Sequence, residues 1–327
     1  MSAFVPDWIG RRAHTHRHCP ALIFGSDVWT FGELNDRVGQ VAGRLAILGV
    51  SHGSRVAVLA QNSPAFVLTA HAVSRLGAVI VPLNIRLSAA EISWQLEDAG
   101  ISLLLHDAAM APLAAAAAVP GVQLAIIEAG GSLDAVGAPV PPPERIALDT
   151  VHSVMYTSGT SGRPKGAMLT FGNLWWSAVG SALHLGHRPD DRWLAILPLF
   201  HIGGLSILLR GVIGAVPVVL HEAFDPERVN WSLDHDGITL MSVVPTMLLR
   251  VLEARGSRPF PASLRCVLLG GGPAPASLIE ESLARRLPVA PTYGLTEAAS
   301  QVTTLLPDQV RQRPGSSGLP LPVTEIR

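Results

Sequence analysis

The chain is poor in lysine: among 24 basic side chains in 327 residues, Lys165 is the one lysine. Cysteine is scarce as well, with Cys19 and Cys266 far apart and no CxxC pair. That excludes a disulfide framework or a cysteine-rich zinc site and points to a reducing, cytoplasmic setting. Charged residues make up only 15% and the formal net charge is −1, with no basic stripe, which argues against a nucleic-acid partner. Long hydrophobic runs are missing despite a mean hydropathy of +0.36. Gly204–Leu220 is broken by Arg210, Gly211, Gly214 and Pro217, and Ala108–Ile127 by Pro112 and Pro120. Neither offers a clean transmembrane span of about 20 residues. The N-terminus lacks the apolar core of a secretory signal.

What is present is apolar mass. Hydrophobic residues reach 48%, enough for a large buried core and incompatible with disorder. At roughly 150 residues per domain, two subdomains are expected. We place them at 1–145 and 146–314, with 315–327 opening a small β subdomain. Short apolar strands alternate with amphipathic helices. Thr30–Glu33 and Ser88–Glu91 read as capping boxes, and helices are expected at Ala65–Leu76, Phe171–Leu185 and Gly204–Ile213. Strands are expected at Arg55–Ala60, Ala78–Pro82, Ile101–Leu105, Val151–Tyr156, Trp193–Leu197, Val216–Leu220, Ile238–Val244, Arg265–Leu269 and Leu287–Ala290. This alternation predicts an α/β fold of mostly parallel sheets covered by helices. Ala129–Pro143 reads as a surface connection, and Val323–Arg327 as the start of a further strand, so the chain reads as a fragment.

Tyr156-Thr-Ser-Gly-Thr-Ser-Gly-Arg-Pro-Lys-Gly166 follows a predicted strand. Glycines let backbone N–H groups converge on an anion, hydroxyls add donors, and a lysine supplies a point charge for phosphate. The plain alternative is a polar surface turn. A Walker A loop is excluded, because Pro164 precedes Lys165 and Gly166 stands where that motif needs Ser or Thr.

The loop resembles the signature of the adenylate-forming superfamily, which includes acyl-CoA synthetases, luciferases and nonribosomal-peptide adenylation domains. The resemblance implies two mostly parallel sheets sandwiched by helices, with the superfamily's small C-terminal domain absent from this sequence. It also implies that Thr157, Ser158, Gly159, Thr160, Ser161, Gly162 and Lys165 hold the β- and γ-phosphates of ATP. Thr292-Tyr-Gly-Leu-Thr-Glu297 matches a second motif of the superfamily. Through it Tyr293 and Gly294 would pack on adenine, Thr296 contact the α-phosphate, and Glu297 hold Mg²⁺ with help from Thr160. Mg²⁺ suits such a site, since it favours a carboxylate plus phosphate oxygens and water. Gly271, Gly272 and Pro273 would wall the adenine and acyl pocket.

Pro198-Leu-Phe-His201 matches an acyl-CoA synthetase motif and would place His201 at the acyl substrate; read alone, such a histidine is more often structural. Amino-acid-activating members carry Phe-Asp there, so the histidine argues against an amino acid. Arg210 interrupts an apolar stretch. It either snorkels, pairs with an internal carboxylate, or clamps a second carboxylate of the substrate. Here the sequence is most similar to o-succinylbenzoate–CoA ligases of menaquinone biosynthesis, over PLFHIGGLSILLRGVI, VVPTMLLRVL, LLGGGPAPASLIEESL, YGLTEAASQVTTL and GSSGLPLP. That resemblance assigns Arg210 to the second carboxylate and Ser300 and Gln301 to the pocket wall. Ala298-Ala299 departs from the commoner Thr-Cys pair.

The expected activity is therefore an ATP-dependent carboxylate–CoA ligase, with Lys165, Thr296 and Glu297 in catalysis and a small carboxylic acid, ATP and coenzyme A as reactants. An aryl- or medium-chain acyl-CoA ligase is the close alternative, and a non-catalytic nucleotide-binding module the distant one. The sequence leaves homo-oligomer formation open.

Overall fold

The structure, a computed structural model, describes residues 3–127, 137–157 and 163–326. The chain folds into two compact units. The first comprises Met1–Pro20, Asp27–Asn173 and Leu199–Ile202; the second comprises Ala21–Ser26, Leu174–Pro198 and Gly203–Arg327. This division is not the contiguous cut expected near residue 145. The reason is pairing: the strands Val151–Thr157 and Lys165–Thr170, which follow that point, are hydrogen-bonded into the first unit's sheet.

In the first unit, β1 (Phe4–Val5) precedes α1 (Trp8–Thr15), and β3 (Asp27–Thr30) runs into α2 (Phe31–Ile47). The Thr30 side chain accepts from the Glu33 N–H and the Glu33 carboxylate reaches back to the Thr30 N–H, so the expected capping box starts this helix. The sheet alternates β4 (Arg55–Leu59), α3 (Pro64–Arg75), β5 (Val79–Pro82), α4 (Ala89–Asp98), β6 (Leu103–His106), α5 (Ala111–Ala116) and β7 (Gln123–Ile126). After β8 (Ile146–Ala147) come β9 (Val151–Thr157) and β10 (Lys165–Thr170), giving the order β10-β9-β5-β4-β6-β7. All neighbours are parallel except β9 and β10. The central strands are buried over nearly their whole length, as parallel strands covered on both faces must be. α3 is buried throughout, including Thr69, His71, Ser74 and Arg75.

The second unit takes β2 (Pro20–Phe24) from early in the chain and α6 (Phe171–Leu185), from Leu174 onward, then β11 (Trp193–Ala195), α7 (Ile202–Gly214) and β12 (Val218–Leu220). There follow α8 (Pro226–His235), β13 (Leu240–Val243), α9 (Pro245–Arg255), β14 (Cys266–Leu269), α10 (Ala276–Ala284), β15 (Val289–Leu295), β16 (Ser300–Thr304) and β17 (Leu319–Pro320). The strands of this unit follow the order β17-β16-β15-β14-β13-β11-β12-β2. From β15 to β2 the pairs are parallel; β16 and β17 add an antiparallel edge. A staple of charge closes the amino ends of the central strands. Arg265 donates to both Asp191 oxygens at 2.6 Å, and Asp191 also accepts from Thr239 at 2.9 Å.

The expected strand at Val323–Arg327 is not formed. Backbone bonding to β16 ends at Leu321, whose N–H donates to the Val302 carbonyl at 2.9 Å, and the Thr324 N–H turns back to the Leu321 carbonyl at 2.8 Å. Arg327 itself lies outside the described residues. Among the described residues no helix is long and apolar enough to cross a membrane.

Candidate active site

In the second unit, β13, β14 and β15 end side by side, and the carboxyl ends of parallel strands are where open α/β sheets place ligands. Gly270 leaves β14 against β15: a Cβ there would meet Thr292 Cγ2 at 2.7 Å and its carbonyl at 3.0 Å. Gly271 has φ +76, a backbone favouring glycine. Gly271, Gly272 and Pro273 follow as an exposed turn before α10.

The segment expected as a ligand loop is largely strand. Tyr293 and Gly294 belong to β15, with Tyr293↔Thr303 and Gly294↔Gln301 as cross-strand partners. The Pro and Gly of Pro291–Gly294 read as turn chemistry, but β-branched Val302, Thr303 and Thr304 supply a partner strand that only the fold brings alongside. Tyr293 stays 53% exposed, an open aromatic face at the strand end. Thr296–Ala298 then form a single 3₁₀ turn that presents Glu297 to solvent.

The turn is strained. Ala299 and Ser300 have φ 56 and φ 101, uncommon for residues with a Cβ. Ser177 on α6 donates to the Ala299 carbonyl at 2.8 Å and anchors it. Gly294 is required opposite, because a Cβ there would run into the Ser300 carbonyl oxygen. Ser300 Oγ lies 3.5 Å from Ser206 Oγ on α7. Gln301 is buried; its amide donates to Thr304 Oγ1, while Oε1 has no hydrogen-bond partner among the described residues.

Arg210 sits four residues beyond Ser206 on the same face of α7, one turn or about 6 Å deeper. It is 7% exposed, so it does not snorkel. Nor does it pair with an acid: α7 carries none in its first turn, no ion pair is formed among the described residues, and Nε and Nη2 have no hydrogen-bond partner there. Burial pulls its pKa down to about 10. Gly211 lets this part of α7 lie close on β12, since a Cβ would meet Val218 Cγ2 at 2.7 Å.

In the first unit, Thr157 and Lys165 are cross-strand partners at the end of the β9–β10 hairpin where the chain passes from one strand to the other, about 5 Å apart across the ladder. Lys165 therefore starts a strand the sequence did not announce, and its side chain is exposed. Gly166 packs over its neighbours; a Cβ would meet Val154 Cγ1 at 2.8 Å. Ser158, Gly159, Thr160, Ser161 and Gly162 lie outside the described residues. His201 is exposed beside Phe200, with ring centroids 4.7 Å apart, and partial desolvation together with the Arg86 charge lowers its pKa. Asn62 holds this segment, accepting the Leu199 N–H at 2.9 Å. A cleft of about 530 Å³, lined by Arg55, Asp98, Asp149 and Tyr156 among others, contains none of the expected site residues.

The profile of the AMP-binding enzyme family matches residues 9–327. The chain belongs to that family. It is 40% identical over 323 residues to a 2-succinylbenzoate–CoA ligase of Bacillus cytotoxicus, covering 99% of this chain and 65% of that protein. A solved o-succinylbenzoate CoA synthetase from Bacillus subtilis, in complex with the acyl-adenylate intermediate OSB-AMP, superposes with a TM-score of 0.92 at 39% identity. The match covers 98% of this chain and 64% of that one. The N-terminal domain of FACL13 from Mycobacterium tuberculosis matches with a TM-score of 0.87 at 30% identity, over 95% of this chain and 81% of that one. The chain thus spans about 65% of the length of its curated relative, and its α/β fold is that of the family.

Sequence reading missed Ser206, Ser177 and Asn62. Ser206 had a usable signal, its i, i+4 spacing to Arg210. The other two act across long sequence separations that no local pattern reveals.

Proposed function

We propose that the protein acts as an ATP-dependent o-succinylbenzoate–CoA ligase. The carrying observation is Arg210, a buried guanidinium whose Nε and Nη2 have no partner among the described residues. A buried charge is costly unless it is paired, and a carboxylate offers the matching two-oxygen geometry. A dicarboxylic acid provides one such group for recognition and a second for reaction. The resemblance of this chain, over 99% of its length, to 65% of a 2-succinylbenzoate–CoA ligase supports the same substrate.

In the reaction, an oxygen of the substrate carboxylate attacks the α-phosphorus of ATP, and the bond to pyrophosphate breaks. The thiolate of coenzyme A then attacks the acyl carbon, and AMP departs. Lys165 and Thr157 engage the leaving phosphates, with Ser158–Gly162 as further donors. Tyr293 offers its exposed face to adenine, and Gly270–Gly272 permit close approach of backbone to the base. Thr296 donates to the α-phosphate, whose negative charge grows in the transition state. Glu297 fits Mg²⁺: its carboxylate is exposed on the turn beside Thr296, and this hard cation favours one carboxylate plus phosphate oxygens and water. When bound, Mg²⁺ neutralises phosphate charge. Ser206, Ser300 and Gln301 line the acyl group, with Arg210 a turn deeper; His201 contacts the acyl substrate.

The test is a thermal-shift titration with ATP and Mg²⁺ present, comparing o-succinylbenzoate, benzoate and octanoate. A ligand at 100 times its Kd stabilises by about 2.7 kcal/mol. Selective stabilisation by o-succinylbenzoate is expected. Equal stabilisation by octanoate would replace this reading with a general acyl-CoA ligase.

A further inference from the structure

Arg210 does have one close neighbour of note. Its Cζ lies over the Trp193 ring, 5.5 Å from the centroid. Trp193 is 4% exposed and opens β11, where it pairs with Val218 on one side and Leu240 on the other. The indole is therefore carried by a central strand held from both flanks, a firmer support than a loop would give.

The chemistry of the pair differs from that of a salt bridge. A carboxylate partner would occupy the in-plane N–H groups of the guanidinium. An aromatic face attracts the cation from above and leaves those in-plane donors free. The indole Nε1, like Nε and Nη2 of Arg210, has no hydrogen-bond partner among the described residues. The arrangement thus offsets the burial of a charge without using up its directional donors.

Resting on the dicarboxylate reading above, we propose that Trp193 is a positioning residue: its ring holds the buried Arg210 guanidinium with the in-plane N–H groups available to the second carboxylate of the substrate.

The experiment measures binding of two probes by calorimetry to the unsubstituted chain and to Trp193→Phe, Trp193→Leu and Arg210→Ala. One probe is o-succinylbenzoate. The other is 4-oxo-4-phenylbutanoate, which keeps the ring and the succinyl arm but lacks the ring carboxylate. Trp193→Leu is expected to weaken the diacid about three- to thirty-fold, Trp193→Phe by less, and neither to change the monoacid. Unchanged diacid affinity in a folded Trp193→Leu chain, with Arg210→Ala still weakening it, overturns the role of Trp193 alone. Equal losses for both probes reduce Trp193 to a packing residue and overturn it as well. Where the leucine variant does not fold, the phenylalanine variant decides by the same comparison. If the unsubstituted chain ignores the diacid, or Arg210→Ala leaves its affinity intact, the dicarboxylate reading falls and this proposal with it.

Discussion

Ser206 and Ser300 bring their hydroxyl oxygens to 3.5 Å, tying α7 to the strained turn after Glu297. Through this contact the residue one turn before Arg210 meets the end of the β15–β16 hairpin. On the proposed function, recognition of an acid by α7 and handling of a nucleotide by the hairpin would be linked through this contact within one unit.

Arg210→Met should make the ligand-free chain more stable while abolishing its preference for a diacid. Replacing a buried charge by an apolar side chain of similar size is often favourable, here by about 1–4 kcal/mol. Urea unfolding measures it: a rise in midpoint at constant slope is expected, and a fall would show that the Trp193 ring stabilises the guanidinium by more than its burial costs.

Ser177→Ala removes the hydroxyl that anchors the Ala299 carbonyl at 2.8 Å. The expected cost is about 1 kcal/mol of stability, accompanied by weaker stabilisation by ATP and Mg²⁺, because the turn carrying Thr296 and Glu297 loses its tether. Loss of stability with an unaltered ATP response would mean that Ser177 only packs.

Two buried histidines set an acid limit. Desolvation lowers His71 to about 3, helped by the charges of His152 and Arg75, and lowers His152 to about 4. The unfolded chain takes up these protons near pH 6.5. Their contribution is therefore complete above that pH and shrinks as pH falls through the window down to about 4 and 3. Each histidine contributes a slope of up to about 1.4 kcal/mol per pH unit. Denaturant midpoints between pH 7 and pH 4 should decline, and His152→Phe should flatten the decline; an unchanged slope in that variant would refute the assignment.

Lys165 is the sole lysine and is exposed at the start of β10. An amine-selective acylating reagent should therefore label one side chain, with the α-amino group as the other site. ATP with Mg²⁺ should slow labelling of Lys165 several-fold, as read by mass spectrometry of peptides. Equal rates with and without nucleotide would remove Lys165 from the phosphate site.

Much of this molecule is written locally. Capping boxes at Thr30 and Ser88 and the bounds Phe171–Leu185 of α6 follow from side chains within a few residues of each other. Apolar runs such as Val56–Leu59 declare buried parallel strands without reference to their neighbours. The chemistry-bearing residues are legible for the same reason, since the glycine-rich loop and the Tyr293–Glu297 motif are contiguous in the chain.

What tertiary structure decided depends on partners far apart in sequence. Lys165–Thr170 and Tyr293–Leu295 are strands because β9 and β16 supply their hydrogen bonds, whatever their own glycines suggest. The two units interleave along the chain because β2, from early in the sequence, pairs with β12 of the second unit, whose other strands begin at Trp193. Arg210 had three readings in sequence, and its burial with no acidic partner among the described residues argues against two of them. Sequence determines which groups are present and which local elements they favour; long-range pairing and burial decide which of those groups are left with unsatisfied chemistry for a ligand to complete.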